Sequence, residues 1–324
     1  MVTPSGLLPR LSAWRPSAAA LRRAFLAALV MNTVIVVTGG VVRLTASGLG
    51  CPRVPNCTDT SMVVTREMGV HGFIEFGNRM LTFVLAIAVA AAVVSAWRAR
   101  RRDLLALSGA LFLGIVAQAV LGAATVRTGL NPVTVMAHFL LSMGLIAIAA
   151  YAFDLARGPR TVTTVVVRRE IKVGARLLVV LVGAVHFLGT VVTGTGPHSG
   201  DKNASHRLPF DLADVTHAHA DLVFVLLGLT VGMIVALRAT RAPAGVVTRA
   251  DVLLAVVLAQ GLVGFTQYLT DLPVALVGLH VLGAALVWIA ALRLLLATTL
   301  RVDLGGLSPP AAEGDRSLAA SSRA

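Results

Sequence analysis

Charged residues are scarce in this sequence, because Asp, Glu, Lys and Arg together make up 13% of its 324 residues. An ordinary soluble domain carries about twice that share, which excludes a water-soluble class. Acidic residues number only 15 against 28 basic ones, and the formal net charge is +13. Cysteine is nearly absent, with two residues in the chain. Two thiols without a nearby pattern of histidine or acid make a poor metal site, so a thiolate metal centre is disfavoured.

Apolar residues dominate instead, because 56% of the chain is hydrophobic and its mean hydropathy is +0.84. Runs of about 20 apolar residues can cross a bilayer as helices. These runs are too long and too continuous to be the strands of a membrane barrel. The sequence therefore predicts an all-α membrane protein with eight transmembrane helices, at residues 24–43, 70–96, 104–126, 131–153, 174–195, 212–237, 250–270 and 273–297.

The basic residues are distributed unevenly between the segments that connect these helices. If the N-terminus is cytoplasmic, 21 of the 28 Lys and Arg residues fall on the cytoplasmic side. This is the positive-inside bias of membrane proteins, so we expect both termini in the cytoplasm and the protein in the plasma membrane. The positive charge then sets the orientation of the protein in the membrane. Membrane lipid is the expected partner, and no nucleic acid is expected.

Two parts of the chain repeat one pattern. A shift of 142 residues aligns residues 116–145 with residues 258–287, and it matches three pairs, which are Gln118 with Gln260, Gly122 with Gly264 and His138 with His280. A shift of 141 aligns NRMLTFVL with HADLVFVL, and a shift of 155 aligns VVTGGVVRLT with VVTGTGPHSG. The chain therefore reads as a duplicated membrane unit.

Each repeat contains an even number of crossings, so both halves run in the same sense about an axis along the membrane normal. The predicted fold is two duplicated four-helix bundles. The expected organisation is a cytoplasmic N-terminal segment 1–23, a first four-helix half 24–153, a cytoplasmic linker 154–173, a second four-helix half 174–297 and a disordered cytoplasmic tail 298–324.

Three histidines stand about seven residues inside their predicted helices, and these are His138, His219 and His280. At 1.5 Å per residue, each lies about 10 Å below the outer surface. Axial ligands that converge from facing helices need this equal depth, and bis-histidine haem sites in helix bundles are built this way. A lone intramembrane histidine can also bond a neighbouring carbonyl or hydroxyl group. The shared depth and the repeat favour ligation of haem iron by these three residues.

His217 competes with His219, since residues two apart on a helix point to nearly opposite sides. The repeat aligns Asn78 with His219, which favours His219 as the ligand and places His217 at the surface or beside the ligand. Asn78 is then an anomaly, because the first half lacks the corresponding histidine. His71 lies on the same helical face, about 10 Å nearer the outer surface. It is either an interfacial residue or one with a haem-related role.

Glu75 lies between His71 and Asn78 on this face. A carboxylate inside a membrane segment is costly and usually functional. Arg79 follows at i+4, where it can pair with Glu75. Two interpretations stay open: a buried ion pair that fixes helix packing, or a catalytic acid beside a reacting group.

Cys51 and Cys57 flank a short outer loop, GLGCPRVPNC, in a compartment that we expect to be oxidising. A disulfide between them is therefore predicted, and whether it is structural or redox-active is left open. The other histidines, at positions 186, 198 and 206, are interpreted as packing or loop residues.

Taken together, these residues resemble the haem A synthase family over most of residues 24–297. The segment VVTGGVVRLTASGLGCPRVPNC is similar to the family's opening signature with its cysteine pair. The segment IEFGNRMLT resembles the second-helix motif, in which Glu precedes a histidine by three places and Arg follows it. The surroundings of His138, His219 and His280 are also similar to those in the family.

The resemblance implies an oxidoreductase that converts the C8 methyl of haem O into the formyl group of haem A, for cytochrome oxidase. It implies haem b between His219 and His280, and haem O as the substrate in the first half with His138 as an axial ligand. Glu75 matches the family's essential acid. Asn78 departs from the family's histidine, which leaves the second ligand of the substrate haem open. Haem O synthase and cytochrome oxidase assembly proteins are implied partners.

Two other classes of protein share some of these features. An electron-transfer cytochrome b would use the same histidines but would not need Glu75. A transporter would explain the duplication, but it predicts broken helices and no tightly held haem.

Overall fold

The computed structural model describes residues 15–59, 61–158, 162–202 and 206–302. The described part contains eight helices long and apolar enough to cross a membrane, so the chain is a multi-pass membrane protein. These are α1 (Ala18–Leu44), α2 (Gly69–Arg98), α3 (Arg102–Arg127), α4 (Pro132–Leu155), α5 (Arg169–Thr195), α6 (Leu212–Ala239), α7 (Ala244–Leu269) and α8 (Val274–Ala297). A short 3-10 helix, Arg66–Met68, precedes α2. The prediction of an all-α membrane protein with eight transmembrane helices is confirmed.

Several helices begin earlier than the apolar runs predicted. Helix α5 begins at Arg169 instead of residue 174, and α7 begins at Ala244 instead of residue 250. Hydropathy records only the apolar part of a span, whereas helical hydrogen bonding continues into the polar turns at the membrane surface. Side-chain caps mark some of the starts. The Ser17 hydroxyl accepts the N–H of Ala20 at 3.1 Å, ahead of α1.

Each half of the chain forms a ring of four helices. In the first ring, α1, α2, α3 and α4 pack in chain order, and α4 closes back onto α1. Helices α5 to α8 do the same in the second ring. The rings meet where α1 and α4 pack against α8, and where α4 packs against α5. Helices α2 and α4 are therefore diagonal partners in the first ring, and α6 and α8 are diagonal partners in the second.

Corresponding connections in the two rings share a backbone shape. Leu130 and Leu272 precede α4 and α8, with φ angles of +61° and +59°. Their N–H groups donate to the carbonyl groups of Thr125 and Gln267, at 2.9 and 2.8 Å. Both pairs are related by the same 142-residue shift that aligns the histidines, so at these turns the sequence repeat is also a repeat of backbone geometry.

Two short strands were not predicted from the sequence. Strand β1 (Val162–Val165) lies in the predicted linker and pairs antiparallel with β2 (Thr299–Val302). The first residues of the predicted disordered tail are therefore ordered by this pairing, and residues 303–324 lie outside the described residues. A four-residue run is too short for its periodicity to distinguish a strand from a loop.

The buried apolar core is concentrated at one end of both rings. We call it the arginine-rich end; there α1, α3, α5 and α7 begin. The opposite end, which carries Cys51 and Cys57, is the disulfide end. Core residues begin at Met143 in α4, at Leu226 in α6 and at Ala285 in α8, and they continue toward the arginine-rich end. Toward the disulfide end, most side chains on these three helices are exposed or only partly buried.

Trp288 of α8 joins the cores of the two rings. It packs against both buried clusters, and its Nε1–H donates to the carbonyl group of Met143 at 2.9 Å. Buried His186 lies next to it, with Nδ1 2.6 Å from the carbonyl oxygen of Val182 and Nε2 3.2 Å from that of Ala284. The imidazole also stacks on Phe139, with 6.2 Å between ring centroids. His186 thus packs at the boundary between the rings.

Arg43 joins the rings at the disulfide end. Its Nε donates to the carbonyl group of His198 at 2.6 Å, and its Nη2 donates to that of Thr193 at 2.6 Å. Nearby, the N–H of Gly48 donates to the carbonyl group of Gly200 at 2.8 Å. Burial and the Arg43 guanidinium both lower the pKa of His198. The two loops that follow α1 and α5 therefore hold each other.

Candidate functional site

Three histidines rest edge-on against glycines of neighbouring helices at the disulfide end. The pairs are Gly122–His138, Gly189–His219 and Gly264–His280. A methyl group on these glycines would lie 3.3, 3.3 and 3.1 Å from the ring Cε1 atom, which is tighter than ordinary van der Waals contact. Glycine therefore provides the space that each imidazole occupies between its own helix and the preceding one.

The ring Nδ1 atoms of His138 and His280 are buried, and no described residue forms a hydrogen bond with them. The Nδ1 atom of His219 is buried as well, and the backbone of Val185 on α5 lies within reach of this imidazole. Buried polar atoms in native proteins almost always have a partner, so an unpaired one requires an explanation. Neutral imidazole is also the commonest metal-binding side chain. The glycine lies on the Cε1–Nδ1 side of each ring, so Nδ1 is turned to the neighbouring helix and Nε2 is the ring nitrogen left for a ligand. Three imidazoles held in this way fit a ligand-binding role.

A glutamine on the preceding helix holds the backbone at two of these histidines. Gln118 Nε2 donates to the carbonyl group of His138 at 3.0 Å, and Gln260 Nε2 donates to that of His280 at 2.9 Å. Gln118 also donates to the hydroxyl group of Ser142 at 2.6 Å. Each glutamine precedes its glycine by four residues. One helical turn therefore supplies both the hydrogen bond and the space for the ring.

In the second ring, His219 on α6 and His280 on α8 occupy diagonally opposite helices within electrostatic range of each other. Within the described ranges, no group of three or more His, Cys, Asp or Glu is placed to hold a bare metal ion. Two histidines on diagonal helices suit an iron whose remaining ligands belong to a flat macrocycle. The donor set therefore fits haem.

The first ring offers one such histidine. His138 on α4 stands diagonally across from α2, where Asn78 occupies the matched position. The Asn78 amide oxygen accepts a hydrogen bond from the Thr38 hydroxyl at 2.7 Å, which leaves its NH2 group to contact a bound molecule. His71 is exposed, and its Nδ1 lies 3.0 Å from the hydroxyl oxygen of Ser47. His71, the histidine on α2, therefore lies seven residues before Asn78, which the repeat aligns with His219.

Glu75 and Arg79 hold the disulfide loop against α2. One carboxylate oxygen of Glu75 accepts the N–H of Cys51 at 2.5 Å, and the other accepts Arg79 Nη2 at 2.5 Å. Arg79 Nη2 also donates to the carbonyl group of Cys51 at 2.8 Å. Glu75 is only 5% exposed. This geometry is the one that the ion-pair interpretation requires, with the loop backbone as an additional partner.

Cys51 and Cys57 are joined by a disulfide and are fully buried. The loop lies so close to α2 that a Cβ atom at Gly50 would overlap the backbone of His71. The disulfide loop therefore covers α2 around Gly72 and Glu75.

Among the remaining histidines, buried His186 lies within electrostatic range of His219 and His280, but both of its ring nitrogens are next to backbone carbonyl groups. His217 is exposed on α6, on a different side from His219, and His206 is exposed ahead of α6. All eight spans are continuous helices in the described part of the chain. A transporter of the kind considered above would have broken helices, so the structure does not support that class.

Sequence reasoning assigned no role to Gln118, Gln260 or their glycines, and it did not identify Gly189. The contacts that give these residues a role join different helices, so spacing along the chain does not reveal them. A glycine in the interior of the helix that directly precedes a histidine-bearing helix is the signal that could have found Gly189.

Comparison with known proteins gives one family match and several curated relatives. The family described as Cytochrome oxidase assembly protein (COX15-CtaA) matches residues 22–199. A Heme A synthase from Geobacillus kaustophilus (strain HTA426) is 32% identical over 129 residues, which cover 39% of this chain and 40% of that protein. A Heme A synthase from Lysinibacillus sphaericus (strain C3-41) is 35% identical over 122 residues, with 36% and 38% covered. The chain thus spans less than half the length of the curated relatives it matches.

Proposed function

Because the chain belongs to the cytochrome oxidase assembly protein family, whose match covers more than half of its residues, we propose that it is a haem A synthase. Its reaction is the oxidation of the C8 methyl of haem O to the formyl group of haem A. The observation that carries the proposal is the set of three histidines resting on glycines, two in the second ring and one in the first. The similarity to proteins named Heme A synthase supports it.

We assign His219 and His280 to hold a resident haem b in the second ring. A haem with two histidine ligands supplies electron transfer when it is bound. Gly189 and Gly264 let the two imidazoles sit close to the backbones of α5 and α7. Gln260 fixes the carbonyl group of His280 and thereby the rotation of α8. Such supporting contacts orient ligands and tune a metal site.

The first ring is assigned to the substrate, haem O, with His138 as its protein ligand. Gln118 fixes the backbone of His138, and Gly122 gives the ring its space. Asn78 stands on the diagonal helix with its NH2 group directed away from its bond to Thr38. An amide is not an iron ligand of the usual kind, so the first ring would offer the substrate haem one histidine ligand, His138.

Glu75 is assigned as the acid–base group. Oxidation of a methyl group releases protons, and a carboxylate one turn before Asn78 can accept one. The bonds to Cys51 and Arg79 hold the carboxylate in a fixed orientation. A pre-set orientation is what general base catalysis requires.

The proposed location is the plasma membrane, with the arginine-rich end and both termini in the cytoplasm. The disulfide end then faces an oxidising compartment, where Cys51 and Cys57 stay paired. Haem O synthase is the proposed source of the substrate, and cytochrome oxidase assembly proteins are the proposed recipients of the product.

The test is pigment analysis in a host that lacks haem A and expresses haem O synthase. Introducing the chain should produce haem A, detected by chromatography of extracted haems. His138→Ala should abolish haem A while the spectrum of haem b in the second ring persists. His217→Ala, at an exposed histidine, should leave both unchanged. A stable haem b spectrum without haem A would instead favour an electron-transfer cytochrome b, and a purified protein without haem would exclude both functions.

A further inference from the structure

Four arginines from four parts of the chain lie at the arginine-rich end, each within electrostatic range of Arg157 or Arg293 beside the seam where the two rings meet. These seam arginines are Arg22 on α1, Arg157 directly after α4, Arg249 on α7 and Arg293 on α8. Arg293 interacts electrostatically with the other three and with Asp154. Each lies within about six residues of a helix end, so all four lie within about 10 Å of the same membrane surface.

One aromatic ring and one acid organise part of this group. The guanidinium carbons of Arg22 and Arg157 lie 5.4 and 5.1 Å from the centroid of the Phe153 ring. Arg157 also lies 3.9 Å from the carboxylate of Asp154. No carboxylate in the described part of the chain lies within salt-bridge distance of Arg22, Arg249 or Arg293. Among the described residues, the four positive charges of the group therefore have one acidic partner within salt-bridge distance, Asp154.

The positive-inside rule explains why arginines occur at this end, but it does not require them to converge. Other arginines there have acidic partners, as in the Arg101–Asp103 and Arg238–Asp251 pairs. Guanidinium groups that converge repel one another, and more strongly beside a low-dielectric membrane than in water. A ligand with several acceptor oxygens would relieve that repulsion, and arginine's planar fork of donors suits phosphate.

On the helices that carry three of these arginines, exposed apolar side chains lie nearer the membrane interior. Leu26 lies one turn after Arg22, Val252 lies three residues after Arg249, and Leu286 lies two turns before Arg293. All three are exposed in the protein. A charged group above and an apolar surface below match a phospholipid, whose headgroup and acyl chains have the same order. Free phosphate would make no use of the apolar part.

We propose that the seam arginines bind the phosphate headgroup of an anionic phospholipid, whose acyl chains lie along the exposed apolar residues beneath them. Basic pockets between transmembrane helices are known sites for such headgroups. The lipid would contact α1, α7, α8 and the end of α4, and so would bridge the two rings. This site is independent of the proposed haem chemistry at the opposite end.

The test is native mass spectrometry of the purified full-length protein, titrated with dioleoylphosphatidylglycerol or dioleoylphosphatidylcholine. The test variant combines Arg22→Gln, Arg249→Gln and Arg293→Gln. The matched control combines Arg23→Gln, Arg169→Gln and Arg176→Gln, which are exposed arginines at the same end and outside the group. Phosphatidylglycerol affinity should fall roughly fivefold for each seam arginine, and on the order of 100-fold for the triple variant. The control should lose less than about threefold, because its arginines lie outside the group and act on the lipid only through the general charge of this end, which salt screens.

A second variant changes the affinity in the opposite direction. Asp154→Asn removes the acid that competes for Arg157, so phosphatidylglycerol should bind more tightly than to the unchanged protein. Three results would overturn the proposal: equal losses in both triple variants, unchanged or weaker binding by Asp154→Asn, or displacement of the lipid by millimolar inorganic phosphate. The first would mean a general attraction to the charged end, and the last a site for phosphate alone. Phosphatidylcholine binding should be the same in all variants.

Discussion

Gly283 is the position where one added methyl group should loosen the second-ring site. A Cβ atom there would overlap the side-chain amide of Gln260, with the amide carbon only 2.7 Å away. Gln260 would have to swing aside and give up its 2.9 Å hydrogen bond to the carbonyl group of His280. Leaving a buried amide unpaired costs about 1–3 kcal/mol. The better helix propensity of alanine acts on the haem-free and the haem-bound protein alike, so it does not change the haem-loss rate. Taken at its lower end, about 1 kcal/mol against the haem-bound state, this cost predicts about fivefold faster haem loss.

The assay is the rate at which haem b transfers from purified Gly283→Ala protein to an excess of apomyoglobin. Gly278→Ala is the matched control on the same helix, because its new methyl group would meet only Leu44, at 3.7 Å. In a Gln260→Ala background, Gly283→Ala should add no further loss, since the overlapping side chain is gone. Transfer at the unchanged rate in Gly283→Ala, or an equal acceleration with and without Gln260, would refute the role of this hydrogen bond.

Three further predictions concern the proposed ligands, the acid and the loop. His219→Ala should remove the low-spin haem b spectrum and His217→Ala should keep it; the reverse result would exchange their roles. Glu75→Gln should fold, retain haem b and accumulate haem O or a hydroxylated intermediate, which haem extraction measures. Normal haem A formation by a well-folded variant would exclude the catalytic role. A failure to fold would favour the ion pair with Arg79 as the whole function of Glu75. Cys51 and Cys57 should resist alkylation in native membranes until a reductant is added, as mass mapping would show; two freely labelled thiols would contradict the disulfide.

The helices were predictable because hydropathy measures the property that a membrane selects. Each span contains about 20 apolar residues, and its approximate position follows from that alone. The start at Arg169 was placed too late because the first turn of α5 is polar and basic and still helical. The start at Ala244 was placed too late because Thr248 and Arg249 interrupt the apolar run ahead of residue 250. Strand β1 was missed for a different reason. Its pairing with β2 joins residues more than 130 positions apart, and neither four-residue strand has a periodic pattern of its own.

The candidate ligands could be found from the sequence because a residue's depth in its helix and its place in the repeat both follow from counting along the chain. Their supporting contacts could not, because Gly189 and Gln260 act on residues of other helices. Glu75 shows the same limit. Its spacing from Arg79 predicts an ion pair, but the bond to the backbone of Cys51 depends on a loop folding back across α2. Spacing along a helix reveals neighbours on that helix, whereas tertiary contacts require the fold.

The position of α8 has a consequence for the order in which the protein is made. Ala285 of α8 lies in the buried cluster of the first ring, and Trp288 packs against both clusters. Every other described helix is synthesised before α8. The buried core of the first ring therefore stays incomplete after its own four helices have been made. Insertion of α8 then completes the cores of both rings together. A nascent chain that stalls before α8 would expose the unpaired faces of α1 and α4 to lipid, and it would have a finished core in neither half.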